Sequence, residues 1–232
     1  MNTNYFYTQP EFINENTLTL INEEFHHCVN VLRKKFGEKI FVVDGIGNCF
    51  EAQIIEIQNK IAVGEIITKY ENFNEPSVSL TLAVCLLKNS AKFDFMVEKA
   101  TELGVKKIIP VISEHTIVHH IKKERLEKLA LSAMKQCGRG CLPVIADMHS
   151  YDELICQKEI AENKLIAYEF EKEKTAMYPT PSAIVLVGPE GGFSIAEVEK
   201  GIEEGWNLIS LGKRRLRTET AAIALCAKFI DG

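Results

Sequence analysis

The run VSLTLAVCLL, residues 78–87, carries no charge and no regular alternation of polar and apolar positions. A strand with one face in water alternates, so a run of this kind is a strand covered on both faces. That requirement points to a parallel sheet between helices. The chain beyond it fits. A helix is expected at Phe93–Leu103, stopped by Gly104, then a strand at Lys107–Ile112 and a helix at Glu124–Gln136. Further elements are read at Val144–Ala146, Tyr151–Gln157, Leu165–Tyr168, Ala183–Val187, Ala196–Glu204 and Asn207–Leu211, with a last helix from about Glu219 to Ile230. Strands alternating with helices define an α/β fold with a parallel sheet.

Upstream of Val78 the pattern differs. Residues 1–70 hold short alternating or β-branched runs: Tyr5–Tyr7, Thr17–Leu20, Lys39–Val43, Cys49–Ile57 and Lys60–Lys69. Turn signals at Asp44–Asn48 and Gln58-Asn59 separate them, which suits a small β-barrel. One helical insert, Glu23–Leu32, puts Phe25, Val29 and Leu32 on one face. The polar stretch Tyr70–Ser77 reads as a linker, so two domains are expected, 1–72 and 73–232. The 46% hydrophobic and 25% charged residues are those of an ordinary globular protein. No apolar run approaches the length of a membrane span, and MNTNYFYTQPEF lacks the features of a signal peptide. Seven cysteines in irregular spacing do not form a disulfide framework, which favours a reducing cytoplasm. A formal charge of −5 argues against a broad nucleic-acid footprint but allows a local one.

Two stretches carry candidate chemistry. In IVLVGPEGGFSIAEVE, residues 184–199, a strand runs into a glycine-loaded corner, and Ser194 and Glu197 have the spacing of a capping box. Ligands of open α/β sheets sit beyond the carboxyl ends of the strands. The corner is therefore either a tight turn or a small-molecule site. It lacks the dinucleotide and P-loop patterns. Glu190 would repel an anion, so a neutral or cationic ligand suits it better. In LISLGKRRLRTETAAIALCAKFI, residues 208–230, a second strand ends at Leu211-Gly212 and a helix opens at Thr218-Glu219, with Thr218 as N-cap. Lys213, Arg214, Arg215 and Arg217 between them form either a solvated loop or a contact for a polyanion. Glu219 sits where a helix dipole favours a carboxylate.

VGPEGGFSIAEVE followed by SLGKRRLRTETAAIAL resembles the signature of the RsmE family, the 16S ribosomal RNA uracil-N3 methyltransferases of the SPOUT superfamily. HHCVNVLR (26–33), FMVEKATELGVKKIIPVISEHT (95–116) and SAMKQCGR (132–139) agree in order, so the likeness spans nearly the whole chain. Asn2–Thr8 lacks the arginine that family members commonly carry near the start. The resemblance implies a PUA-like, RNA-binding β-barrel at 1–72. It implies a SPOUT-type parallel sheet with a deep trefoil knot at 73–232, serving cofactor binding and homodimer formation. It further implies S-adenosyl-L-methionine as cofactor and, as substrate, 16S rRNA within the assembled small ribosomal subunit.

Carried over residue by residue, three loops would hold the cofactor. They are Tyr168-Glu169; Val187 with Gly188, Pro189, Glu190, Gly191 and Gly192; and Leu211-Gly212 with Leu216, Arg217, Thr218, Thr220 and Ala221. Arg217 is the candidate for stabilising charge on the uracil carbonyls, with a salt bridge in the adenosine loop or at the dimer interface as its alternative. Glu219 is a candidate base, as is Glu190 beside its cofactor contact. Expected RNA contacts are His26, His27 and Arg33, with packing in the barrel as their alternative; Gln136 and Arg139, with a partner-subunit contact or helix capping as theirs; and Lys213, Arg214 and Arg215. His26-His27-Cys28 and Cys137/Cys141 with His149 lack the paired spacing of a zinc site, so no metal is expected. A ribose 2′-O methyltransferase of the same fold and a non-catalytic RNA-binding protein remain the alternatives.

Overall fold

The computed structural model describes residues 4–169 and 180–230. The chain divides into two compact units, Met1–Glu75 with Leu131–Leu142, and Pro76–Ala130 with Pro143–Gly232. The expected boundary at 72/73 falls close to the first crossing. The return of Leu131–Leu142 to the first unit has no signal in local sequence.

The first unit is built on five strands: β1 (Tyr5–Tyr7), β2 (Thr17–Leu20), β3 (Lys39–Val43), β4 (Cys49–Gln58) and β5 (Ile61–Tyr70), in the order β1-β3-β4-β5-β2. Among the described residues of this sheet, only β1 and β3 pair in parallel. The β4–β5 hairpin turns at Asn59 and Lys60, both with positive φ (51° and 62°), as a two-residue hairpin of matching twist requires. The other predicted turn is held by Asp44, whose carboxylate accepts the N–H groups of Ile46 and Asn48 at 2.9 and 3.0 Å. Alternating positions on β2, β3 and β4 converge on one core of Phe6, Leu18, Leu20, Ile40, Val42, Phe50 and Ile54. The predicted insert forms as a helix α1 (Asn22–Phe25) running into wider π-type turns over His26–Val31. Its apolar stripe is as expected, Phe25, Val29 and Leu32, broadened by the buried Cys28. A second cluster joins Val43 and Cys49 to Met134, with Leu131, Leu142 and Phe73 against it.

The predicted linker is not free polar chain. Tyr70 completes β5, and Glu75 is buried against Arg139.

The second unit holds a parallel sheet in the order β12-β10-β11-β6-β7-β8. Its strands are β6 (Ser79–Cys85), β7 (Lys107–Ile112), β8 (Val144–Ile145), β10 (Asn163–Ala167), β11 (Ser182–Val187) and β12 (Asn207–Ile209); a short β9 (His149–Ser150), not foreseen, also pairs with β7. The run that opened the sequence reading becomes β6, between β11 and β7, and is buried from Leu80 onward. Helices α2 (Ser90–Glu102), α4 (Tyr151–Ile155), α5 (Ile195–Glu203) and α6 (Thr218–Ile230) cover the sheet, while α3 (Lys123–Cys137) passes from the second unit into the first. Ala83, Cys85, Ile109, Val111, Ile184 and Leu186 pack with Tyr151, Leu154, Val198 and Trp206 of the α4–α5 side. Helix α6 lies against β6, β11 and α2. Burial of each such Leu, Ile or Val side chain stabilises the fold by about 1.5–3 kcal/mol.

Helix starts follow local chemistry. Ser194 and Glu197 form the predicted capping box: the Ser194 Oγ accepts from the Glu197 N–H, and the Ser194 N–H donates to the Glu197 carboxylate. Ser150 and Glu153 do the same for α4. Thr218 departs from its expected role as cap. It is the first residue of α6, and its hydroxyl donates to the Gly188 carbonyl at 3.0 Å.

Candidate functional site

Strands β12, β10 and β11 are neighbours and run in parallel, so the loops after them share one rim. That rim is where a polar, glycine-bearing backbone can face a ligand while apolar strand ends form a floor. The loops enclose a cavity of about 510 Å³, within the range of small-molecule sites. Ala167, Tyr168 and Glu169 line it after β10, Val187 to Phe193 after β11, and Ile209 onward after β12.

Sequence dictates the shape of each loop. Gly192 and Gly212 take φ of +71° and +104°, which few side-chain-bearing residues tolerate. Gly188 is small for another reason: a Cβ there would stand 3.1 Å from the Phe193 ring, which closes the corner. The strand predicted over Asn207–Leu211 stops at Ile209, which frees Leu211 and Gly212 to line the cavity. The second and third loops are tied together, since Thr218 holds the Gly188 carbonyl and the Arg215 guanidinium reaches the Glu190 carbonyl at 3.5 Å. Beyond the corner, His115 Nδ1 contacts the Gly192 carbonyl at 3.1 Å, and the Glu114 N–H donates to Glu197 at 2.8 Å.

The lining holds four cations, Lys92, Arg214, Arg215 and Arg217, and three carboxylates, Glu169, Glu190 and Glu219. Arg215 pairs with Glu169 at 3.2 Å. Lys92 pairs with Glu219 at 2.9 Å. The Glu190 carboxylate accepts the Lys88 N–H at 3.1 Å and has no ion-pair partner among the described residues. Burial on its own would raise the Glu219 carboxyl, but the Lys92 hydrogen bond, its own backbone N–H and the Lys92 and Arg217 charges hold it below its ordinary value. A carboxylate held down in this way is a poor proton acceptor, which argues against Glu219 as a base.

Of the residues expected to hold a cofactor, all line the cavity except Thr220, which is exposed on α6. Among the expected RNA contacts, Arg214 and Arg215 also line it, and Lys213 lies exposed beside them. Arg215 serves first as a clasp on Glu169. His26 and Arg33 are exposed in the first unit, whereas His27 is half-buried with its ring 5.6 Å from that of Phe6. Gln136 is exposed on α3.

Arg139 requires correction. It is 3% exposed, and its Nε and Nη2 donate to the Glu75 carboxylate at 3.1 and 2.8 Å. A guanidinium enclosed with its counter-ion is a structural tie within the first unit, not a surface for RNA. Lys92 escaped the sequence reading because it stands just ahead of the expected start of α2, outside any motif. Ile209 and Ala167 were hidden because any buried strand end looks the same in sequence. Among the described residues, no group of three His, Cys, Asp or Glu is placed to hold a metal ion.

Comparison with known proteins adds independent findings. Residues 74–230 match the family model of an RNA methyltransferase domain, and residues 20–67 that of an RNA methyltransferase PUA domain. Ribosomal RNA small subunit methyltransferase E of Mesomycoplasma hyopneumoniae is 32% identical over 228 residues, 94% of this chain and 97% of that protein. The protein of the same name from Bacillus subtilis is 31% identical, over 89% of this chain and 87% of its own. The crystal structure of a ribosomal RNA small subunit methyltransferase E from Neisseria gonorrhoeae bound to S-adenosyl methionine superposes with a TM-score of 0.87 at 32% identity. It covers 97% of this chain and 96% of that one.

Proposed function

The chain belongs to the RNA methyltransferase family, and on that basis we propose that it transfers the methyl group of S-adenosylmethionine to N3 of a uracil in 16S ribosomal RNA, acting on the assembled small subunit. The observation that carries this reading is the convergence of three strand-end loops on one cavity of about 510 Å³. The residues fit the cofactor. Val187, Leu211, Leu216 and Ala221 offer apolar walls to a flat ring, the glycine-rich corner offers backbone groups, and Glu190 offers an uncompensated negative charge to a sulfonium. When bound, S-adenosylmethionine supplies a methyl group already activated for transfer.

The chain has two tasks: to align the base and to favour loss of its N3 proton. As that proton leaves, negative charge spreads to the uracil carbonyls. Arg214 and Arg217 line the cavity and have no ion-pair partner among the described residues; Arg217, which directly precedes α6 in the third loop, is assigned to stabilise this charge. Lys92 and Arg215 are engaged by Glu219 and Glu169. The same reading makes the second unit a trefoil-knotted domain that dimerises. It assigns His26, His27, Arg33, Gln136 and the rim cations Lys213, Arg214 and Arg215 to the RNA. It puts the enzyme in the cytoplasm, where seven free thiols are stable.

The test is methyl transfer from labelled S-adenosylmethionine to small subunits lacking the modification, followed by nucleoside mass spectrometry. 3-Methyluridine is the expected product. A 2′-O-methylated nucleoside moves the activity to ribose; no transfer and no calorimetric binding of S-adenosylmethionine leaves an RNA-binding protein. Arg217→Ala should lower kcat about a hundredfold, with a much smaller effect on cofactor affinity.

A further inference from the structure

Residues 1–72 hold six lysines and arginines against ten carboxylates, and four of the six fall within seven residues: Arg33, Lys34, Lys35 and Lys39. Among them stands Phe36, 72% exposed, the most exposed large apolar side chain among the described residues of the first unit. It joins neither of that unit's apolar clusters. Its mount is nevertheless fixed. The Gly37 N–H donates to the Ile54 carbonyl at 2.8 Å, and the Gln53 amide donates to the Gly37 carbonyl at 2.8 Å. The Ile54 N–H donates to the Glu38 carbonyl at 3.0 Å, and the Lys35 N–H to the Glu38 carboxylate at 2.7 Å. A phenyl ring is thus held out into water on a turn stitched to β4.

The cations around it are not all neutralised. Lys34 pairs with Glu38 and Lys39 with Glu51, at 3.3 and 2.7 Å. Arg33 and Lys35, three and one positions ahead of Phe36 in the chain, have no ion-pair partner among the described residues and are exposed. An aromatic face flanked by free positive charge is the chemistry that binds single-stranded nucleic acid: the base stacks, and the phosphates meet the cations. Protein interfaces, in contrast, are depleted in lysine.

We infer that Phe36 is a stacking platform for an unpaired base of the RNA substrate, with Arg33 and Lys35 contacting the adjoining phosphates. This rests on the proposed RNA methyltransferase activity and adds to it a point of grip outside the cofactor cavity. No remodelling is needed, because the ring is already exposed and its turn already ordered by hydrogen bonds.

The experiment measures binding of a labelled single-stranded RNA oligonucleotide of mixed sequence, and of assembled small subunits, by fluorescence anisotropy. Phe36→Ala should weaken both about tenfold, and Phe36→Tyr should bind as wild type. Lys35→Ala should reduce the slope of log affinity against log salt by roughly one contact's worth. Phe36 covers nothing in the core, so thermal midpoints should not move. Oligonucleotide affinity unchanged in Phe36→Ala overturns the inference. So does full affinity in Phe36→Leu, which would indicate an apolar contact without stacking. A loss confined to small subunits also overturns it, by assigning the ring to a ribosomal protein. Methyl transfer is measured in parallel: a wild-type protein that does not methylate, yet loses oligonucleotide affinity in Phe36→Ala, retires the catalytic reading and leaves the platform standing.

Discussion

Replacing Arg139 with alanine should unfold the first unit far more readily than any surface change and should leave RNA affinity alone. Arg139 and Glu75 are 3% and 4% exposed and joined by two hydrogen bonds, while one Glu75 oxygen also accepts the Cys141 N–H at 2.8 Å. Removing the guanidinium takes the Arg139 charge and both of these hydrogen bonds from a buried carboxylate. Breaking a buried pair from one side costs about 3–5 kcal/mol. At about 2–4 °C per kcal/mol for a chain of this size, the thermal midpoint should fall by about 10 °C. Much of the loss should return in Arg139→Met combined with Glu75→Leu, because two apolar side chains of similar volume bury no charge. Differential scanning fluorimetry gives the midpoints, and RNA anisotropy well below them gives the affinity. A midpoint within 2 °C or so of wild type, together with a clear loss of RNA binding, would refute the reasoning and return Arg139 to the substrate surface.

Other perturbations probe the cavity and the core. Gly188→Ala places a methyl group 3.1 Å from Phe193 and should weaken S-adenosylmethionine binding in calorimetry with little change in thermal midpoint. The Lys92–Glu219 pair lowers the Glu219 carboxyl, so its contribution is fully present above the ordinary value of 4.5 and is lost as pH falls through the lowered one. Wild type and Lys92→Met should therefore differ in unfolding free energy from urea titrations above pH 4.5, by less than about 1 kcal/mol for a partly exposed pair, and converge in acid. Burial pushes the thiols of Cys49, Cys85 and Cys226 up to about 12, so iodoacetamide should label the exposed Cys156 first and reach those three only in denaturant, as peptide mass spectrometry would show.

Much of the second unit was legible because its signals are local. Residues 78–87 announced a doubly covered strand by lacking alternation, Ser194 and Glu197 announced a helix start by their spacing, and the glycines announced loops that need positive φ or close packing. Two walls of the cavity, after β11 and β12, could be read from their glycine-bearing strand ends; the third, Tyr168-Glu169 after β10, came only from the family resemblance. What escaped was long-range pairing. Glu75 in a polar stretch and Arg139 after a helix each look solvated, and only their meeting across 64 positions makes them core. Thr218 had the residue type of a cap, but a nearby orphan carbonyl on another loop took its hydroxyl. Arg215 looked like one more surface cation until Glu169 came within reach. Charge and hydroxyl groups have no period, so their partners cannot be read from a window of sequence.

Helix α3 begins in one unit and ends in the other, and Leu131–Leu142 complete the second apolar cluster of the first unit through Met134, Leu131 and Leu142. A gene fragment ending at Glu75 would encode every strand of the small sheet and still lack Met134, Leu131 and Leu142 from the cluster around Val43 and Cys49. No single cut point yields two self-sufficient proteins. Moved alone as far as Glu75, the small sheet would travel without part of its own core.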